Sequence, residues 1–361
     1  MSVMQQLSNR PGSGGPAVPV LEAIHLRKEF PVGARLLGTT RAVHAVEDTT
    51  LALYPGHVTA LVGESGSGKT TVARMLARLY DPTSGTIHFQ GQPVKLTRSS
   101  SALRQYRRHV QLIFQDPFAS LNPVHNVRYH LARPLRIFGH VRNQVEETEQ
   151  ILNLLNRVSL TPADQFIQKY PHQLSGGQRQ RIAIARALAV RPEVLLADEP
   201  VSMLDVSIRL DILNLLLRLK DEERLALLYI THDIASARYF ADETLVMYAG
   251  QMVEGGPSEE VTQTPKHPYT RLLLSAAPDP DRIKAGTAGM KEVGARGEIP
   301  SLINPPTGCR FHPRCPHAMD ICRQRFPKKT DLGGGHWTNC FLYGDGDGDK
   351  PVVAGTPAAQ A

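Results

Sequence analysis

Residues 63 to 70 read Gly-Glu-Ser-Gly-Ser-Gly-Lys-Thr and directly follow the apolar run Val58–Val62. This stretch has the pattern G-x-x-x-x-G-K-S/T, between a predicted strand and a helix-prone run, which is the context the motif requires. Glycines let backbone amides turn inward around phosphate oxygens at the positive end of a helix. Lys69 is then placed to reach the β- and γ-phosphates, and the Thr70 hydroxyl to ligate Mg²⁺. The stretch predicts a nucleotide site formed by Gly63, Glu64, Ser65, Gly66, Ser67, Gly68, Lys69, Thr70 and Thr71.

A second stretch ends in two acidic residues, which could supply the Mg²⁺ ligand and the base that a phosphate loop needs. The apolar run Val194–Ala197 ends in Asp198 and Glu199. A purely structural strand would avoid two adjacent carboxylates at its end. We expect Asp198 to hold Mg²⁺, directly or through water, and Glu199 to polarise the attacking water.

A third motif, Leu-Ser-Gly-Gly-Gln, occupies residues 174 to 178. Ser175 can cap the helix-prone run that follows and can also donate its hydroxyl. Gly176 and Gly177 expose backbone amides at a helix N-terminus, which again favours an anion. Within one fold we expect this motif and the phosphate loop to lie far apart.

The composition is that of a globular protein with one large domain and a smaller one. The chain has 361 residues, of which 41% are hydrophobic and 21% are charged. The formal charge of +7 is compatible with a solvated surface or with anionic nucleotide, lipid or nucleic acid. We expect no membrane span, because no uncharged apolar run reaches about 18 residues. Residues 1–19 lack the apolar core of a secretory signal, so a cytoplasmic protein is expected.

Apolar strand-like runs alternate with helical stretches, the pattern of an α/β domain. The predicted buried strands are Val58–Val62, Val110–Phe114, Val194–Ala197 and Leu227–Ile230. The leucines and isoleucines of 206–219 recur at helical spacing and predict a core-facing helix. The predicted domains are a disordered tail (1–20), a nucleotide-binding domain (21–258, with a helical subdomain at about 125–190), a C-terminal extension (259–344) and a second tail (345–361).

The phosphate loop and the Leu-Ser-Gly-Gly-Gln motif, in this order and 104 residues apart, make the chain resemble the ATP-binding cassette (ABC) family from Leu21 to Tyr343. The resemblance implies a P-loop NTPase fold with a RecA-like core, an antiparallel β subdomain and a helical signature subdomain. It also implies that Ser175, Gly176, Gly177 and Gln178 complete the ATP site of a second subunit. Further residues match that family's motifs. Gln115 matches the Q-loop glutamine that senses magnesium and water, and His232 matches the switch histidine that contacts the γ-phosphate. The resemblance implies that both are catalytic together with Glu199, and that Gln115 is a further Mg²⁺ ligand. Asp205 matches the D-loop aspartate, and Phe30 the aromatic that stacks on adenine.

Wider stretches resemble the ATPase subunits of bacterial oligopeptide and dipeptide importers. These stretches are 114–123, 267–270, 297–302 and 308–316. The resemblance implies peptide uptake powered by ATP hydrolysis at the cytoplasmic face of the cell membrane. The implied partners are a second ABC ATPase subunit, two permease subunits and an extracytoplasmic solute-binding protein, without nucleic acid. Some relatives carry nickel or oligosaccharides, and other cassette ATPases are exporters or act on DNA or ribosomes; these remain the alternatives.

All four cysteines lie in the extension, at Cys309, Cys315, Cys322 and Cys340. Their spacing, C-x5-C-x6-C-x17-C, lacks the C-x2-C pairs of zinc ribbons and matches no standard ferredoxin pattern. The resemblance favours a 4Fe–4S cluster, with zinc or unligated thiols as alternatives. His312, His317 and His336 are possible zinc ligands but are expected at the surface.

Overall fold

The computed structural model describes residues 18–32, 41–95, 100–276 and 298–345. Most of the two predicted tails therefore lies outside the described residues, as does Gly297. The strands are β1 (Leu21–Val32), β2 (Arg41–Leu53), β3 (Val58–Val62), β4 (Ser84–Phe89), β5 (Gln92–Pro93), β6 (Val110–Ile113), β7 (Val194–Asp198), β8 (Ala226–Thr231), β9 (Glu243–Tyr248), β10 (Gln251–Pro257), β11 (Thr330–Asp331) and β12 (Trp337–Thr338). The helices are α1 (Lys69–Leu76), α2 (Ser100–His109), α3 (Pro117–Ser120), α4 (Val127–Ile137), α5 (Gln144–Arg157), α6 (Asp164–Ile167), α7 (Gly176–Leu188), α8 (Val206–Glu223), α9 (Ile234–Phe240), α10 (Ser258–Gln263), α11 (Pro268–Ala276) and α12 (Asp320–Gln324).

The strands form one mixed sheet in the order β5-β4-β1-β2-β10-β9-β3-β8-β7-β6. Strands β6, β7, β8 and β3 run parallel, whereas β1, β2 and β4 pair antiparallel. Every residue of β3, β7 and β8 is buried, because helices cover both faces of the parallel part. The α/β prediction with an added antiparallel part is confirmed.

The register of the parallel strands brings their carboxyl ends to one edge. Val62 of β3 pairs with Thr231 of β8, and Asp198 of β7 pairs with Ile230. The residues that follow β3, β7 and β8 therefore lie next to one another. In open parallel sheets this edge is where ligands bind.

Two large hydrophobic cores lie on opposite faces of the parallel strands. One contains the buried faces of α4, α5, α7 and α8, and the other contains α1 and the antiparallel strands. Helix α8 buries Ile212, Leu215, Leu216 and Leu219, so the predicted core-facing helix is confirmed. Helix α1 ends at Leu76, and Arg78 just beyond it has the left-handed φ of 55°.

The C-terminal segment is bound into the same sheet. Strand β12 pairs with β10 through Glu254↔Thr338 and Gly255↔Trp337. A third hydrophobic core joins β9 and β10 to the cysteine-rich segment and includes Tyr248, Tyr269 and Phe311. Among the described residues, no helix combines the length and apolar character that crossing a bilayer requires.

Candidate nucleotide site

The phosphate loop connects β3 to α1, as the motif predicts. A Cβ atom at Gly63 would lie 2.1 Å from the backbone oxygen of Met247, and one at Gly68 would lie 2.3 Å from that of Ala45. Gly68 also has a φ of 106°, which L-residues rarely adopt. At these two positions the close backbone approach admits no side chain.

Lys69 is folded into its own loop. Its Nζ donates to the backbone oxygens of Gly63 at 2.6 Å and Glu64 at 2.8 Å, and the residue is buried. Burial lowers the pKa of Lys69, and the nearby carboxylates of Glu199, Asp198 and Glu64 oppose this shift. An ammonium held at low solvation among carbonyl oxygens is available to a polyphosphate anion.

Two of the three residues expected to hold Mg²⁺ are in direct contact. Thr70 Oγ1 donates to Asp198 Oδ1 at 2.9 Å, across the edge between α1 and β7. Burial raises the pKa of Asp198, while the hydrogen bond from Thr70 lowers it. A hydroxyl and a buried carboxylate are oxygen ligands of the kind that Mg²⁺ prefers.

Glu199 lies at the centre of a polar cluster just past the end of β7. Its Oε2 accepts a hydrogen bond from Gln115 Nε2 at 2.9 Å and lies 3.4 Å from His232 Nδ1. The Glu199 backbone has the rare φ of 45°, and its N–H donates to the Ile230 oxygen at 3.0 Å. The structure thus brings the three residues predicted as catalytic together from three separate elements.

The Leu-Ser-Gly-Gly-Gln motif forms a capped helix start. Ser175 Oγ accepts from the Gln178 amide, and the Gln178 side chain accepts from the Ser175 amide, so the two residues form a capping box for α7. Among the described residues, no hydrogen bond or ion pair joins this turn to the phosphate loop. A Cβ atom at Gly177 would lie 2.7 Å from Cγ2 of Ile208 in α8, so this glycine also allows close helix packing.

The remaining two predicted residues lie in different surroundings. Asp205 is exposed and precedes α8 without capping it by a side-chain hydrogen bond. Phe30 is half-buried at the end of β1, edge-on to Tyr80 with ring centroids 5.3 Å apart. The ammonium of Lys28 lies 5.0 Å from the centroid of the Phe30 ring.

Two residues of the C-terminal segment also reach the phosphate loop; they lie in the stretches 267–270 and 308–316, but their contact with the loop was not predicted. Arg314 pairs with both carboxylate oxygens of Glu64, at 2.9 and 3.2 Å. The Glu64 amide donates to Tyr269 Oη at 2.8 Å. These partners are 250 and 205 residues from Glu64, and no sequence pattern links them.

The four cysteines line one cavity of about 20 Å³, together with His312 and His317. All four are free thiols, and burial raises the pKa of Cys309 and of Cys340 to about 12. In the described part of the chain, however, no three or more His, Cys, Asp or Glu side chains are arranged to hold a metal ion. The thiol donor set is thus gathered in one place, but its geometry is not that of a formed metal site.

His336 does not lie at the surface, so that prediction was wrong. It is buried, and its Nε2 lies 2.7 Å from Glu254 Oε1. Glu254 is fully buried and also accepts from the amides of Lys266 and His267 at 2.7 and 2.9 Å. A buried carboxylate needs such partners, and His336 is one of them.

Comparisons with known proteins agree with this geometry. Residues 46–202 match the family model "ABC transporter", and residues 253–322 match "Oligopeptide/dipeptide transporter, C-terminal region". The chain is 41% identical to the oligopeptide transport ATP-binding protein AppF of Bacillus subtilis, covering 90% of this chain and 97% of that protein. It is 43% identical to the di/tripeptide transport ATP-binding protein DppF of Pseudomonas aeruginosa, covering 86% and 93%.

Solved structures show the same architecture. The cassette MJ0796, in a dimeric post-hydrolysis state bound to ADP and Pi, has a TM-score of 0.58 and 28% identity, covering 66% of this chain and 98% of that one. The cbiO1 protein of Clostridium perfringens has a TM-score of 0.58 and 27% identity, covering 68% and 91%. The chain belongs to the ABC transporter family, among the ATP-binding proteins that carry an oligopeptide/dipeptide transporter C-terminal region.

Proposed function

We propose that this chain is the ATP-hydrolysing subunit of an importer that takes up oligopeptides or dipeptides. The observation that carries the proposal is the single cluster in which Glu199 contacts Gln115 and His232, beside the Thr70–Asp198 pair. A base, a switch group and two Mg²⁺ ligands are the parts that phosphoryl transfer to water requires. The peptide substrate is supported by the names of the relatives and by the matching C-terminal region.

Each residue of the cluster has a proposed role. Lys69 and the amides of the phosphate loop, including that of Thr71, bind the β- and γ-phosphates of ATP. Thr70 and Asp198 would hold Mg²⁺, with Gln115 as a further ligand, and the bound ion would neutralise charge on the phosphates. Glu199 orients and deprotonates the attacking water, and His232 contacts the γ-phosphate. Phe30 stacks on adenine, which its partly exposed ring permits.

The cap of the α7 helix is proposed to act in a second subunit. Ser175, Gly176, Gly177 and Gln178 close the ATP held by a partner ATPase, and Asp205 signals across that interface. Binding then joins two subunits and hydrolysis releases them, which converts phosphate chemistry into movement. The full complex adds two permease subunits and a solute-binding protein, at the cytoplasmic face of the membrane. We assign 21–258 to the cassette and 259–344 to the extension, with helices near 125–190 forming the signature subdomain.

Reconstitution with permease subunits tests this function. The purified chain is combined with those subunits in vesicles, and ATP hydrolysis is measured with and without solute-binding protein and a peptide library. Stimulation by peptide supports the proposal. Stimulation only by nickel or an oligosaccharide would change the solute, and stimulation only by DNA or ribosomes would refute the transporter assignment.

We also propose that Cys309, Cys315, Cys322 and Cys340 hold a 4Fe–4S cluster that stabilises the extension, with zinc as the alternative. Support comes from the four thiols that line one cavity, since thiolates are the usual ligands of such clusters. Holding a metal would draw these side chains closer together. Anaerobically purified protein should then absorb at about 400 nm through sulfur-to-iron charge transfer. A colourless protein with one bound zinc would overturn the iron–sulfur assignment.

A further inference from the structure

The C-terminal segment contacts the phosphate loop itself, in addition to pairing with β10 of the sheet. Glu64, the second residue of the loop, is held through its side chain by Arg314 and through its backbone by Tyr269. The Arg314–Glu64 pair is bidentate and mostly shielded, with side-chain exposures of 10% and 24%. Bidentate guanidinium–carboxylate pairs fix orientation as well as charge.

Tyr269 and Arg314 are themselves held by the hydrophobic core that joins β9 to the extension. Tyr269 is fully buried between Tyr248 and Phe311, with ring centroids 4.5 and 5.4 Å away. Its own amide donates to Nδ1 of the buried His267 at 3.1 Å. Arg314 donates to Tyr248 Oη at 3.2 Å in addition to Glu64. The loop is therefore attached to a packed core and not to a mobile surface.

A second contact with the loop comes from the turn between β9 and β10. The Ser67 backbone oxygen accepts from the Gly250 amide at 2.8 Å, in the turn between β9 and β10. Arg310, which is 4% exposed, donates to Ala249 O in this turn and to Glu47 Oε2 at 2.6 Å. Arg314 thus contacts the phosphate loop directly, whereas Arg310, four residues earlier, acts on it only through the turn between β9 and β10.

The charge of Glu64 gives the pairing a consequence for ligand binding. An unpaired carboxylate within the loop would repel a polyphosphate anion at close range, where low dielectric strengthens the interaction. Arg314 neutralises this carboxylate and keeps it turned toward the extension. We propose that Arg314 is a positioning residue of the nucleotide site, through which the cysteine-rich extension sets the ATP affinity of the cassette. This inference rests on nucleotide binding at the loop.

The test uses the full chain and MgATP affinity, measured with a fluorescent nucleotide, together with kcat and KM for hydrolysis. Arg314→Gln should raise Kd and KM about 10-fold to 150-fold, the range expected for one charge-assisted contact, while kcat stays within about twofold. Adding Glu64→Gln to Arg314→Gln should recover most of the affinity, because the unpaired carboxylate is gone. Arg325→Gln is the matched control, since Arg325 lies over Phe341 in the extension and pairs with Asp345 just beyond it.

Two results would overturn the inference: an unchanged Kd in Arg314→Gln, or no recovery when Glu64→Gln is added. If Arg314→Gln does not fold, Glu64→Gln removes the ion pair from the cassette side. Amide hydrogen exchange of the segment 63–70 should then accelerate without nucleotide. An unchanged exchange rate would refute the claim that the Arg314–Glu64 pair holds the loop in place. Since the exchange measurement needs no ATP, it stays informative if wild-type protein binds no nucleotide, a result that would instead refute the proposed function.

Discussion

Replacing Glu199 by glutamine removes the proposed base and leaves its surroundings nearly intact. The glutamine amide oxygen can still accept the hydrogen bond that Gln115 donates at 2.9 Å, so the ground-state geometry is kept. What is lost is the ability to take a proton from water. General-base catalysis contributes about 10²–10⁴-fold, which corresponds to about 3–5 kcal/mol at 1.36 kcal/mol per factor of ten.

The expected result of Glu199→Gln is a fall in kcat of about 10²–10⁴-fold with the Kd for MgATP changed by less than about threefold. Hydrolysis is followed by phosphate release in a single turnover, and affinity by equilibrium titration. The trapped ATP should also stabilise a closed pair of subunits, which sedimentation would detect.

The chain offers a closely matched control at the opposite end of the same strand. Glu193 directly precedes β7, and its carboxylate lies 2.7 Å from His109 Nδ1 and 2.6 Å from Gln90 Nε2. Like Glu199, it is in contact with one glutamine and one histidine, but it lies away from the phosphate loop. Glu193→Gln should retain wild-type kcat. The reasoning fails if Glu199→Gln keeps more than about a tenth of the wild-type rate, or if both variants lose activity equally.

Three further predictions concern packing, pH and the extension. Gly63→Ala should destabilise the fold by about 1–3 kcal/mol and weaken nucleotide binding, because the new Cβ meets the Met247 oxygen at 2.1 Å; unchanged melting and affinity would contradict this. Burial lowers the pKa of His267 to about 4, below its unfolded value of about 6.5, so the unfolded chain binds a proton between these pH values and the folded protein does not. The contribution of His267 to stability is therefore complete above about pH 6.5 and falls as the pH drops toward 4, by at most about 1.4 kcal/mol per pH unit. His267→Asn, which keeps an acceptor for the Tyr269 amide, should flatten this decline in chemical-denaturation curves, and an identical slope would exclude His267 as its source. Glu254 accepts from the amides of Lys266 and His267 and from His336 Nε2, and in Glu254→Gln an NH₂ group replaces one of the accepting oxygens. The variant should therefore lose about 1–3 kcal/mol of unfolding free energy, and a melting temperature equal to wild type would argue against this network.

Much of the cassette could be predicted from local sequence. The run Val58–Val62 is continuously apolar and does form a strand buried on both faces, followed directly by the phosphate loop. The helix starting at Gly176 was also predictable, because Ser175 and Gln178 satisfy each other's backbone groups over four residues. Such features depend on interactions between neighbours in the chain, and a sequence displays these directly.

The structure of the extension was less predictable, because its contacts join residues that are far apart in the chain. Its irregular sequence suggested surface histidines, yet His336 is buried against Glu254, 82 residues away. The pairing of β12 with β10 likewise had no visible signal, since β12 is two residues long. Contacts between distant, short and polar segments leave no periodicity in the sequence.

By itself the sequence determined which groups do the chemistry: a phosphate loop, two acids after a buried strand, and a helix cap that exposes backbone amides. Only the tertiary structure decided that Gln115, Glu199 and His232 meet at one sheet edge, because parallel pairing of β7 with β8 and β6 aligns their ends. It also decided that Arg314 holds Glu64, across 250 residues of chain. An ion pair of this kind is set by the packing of whole elements against each other, and no local pattern of residues encodes it.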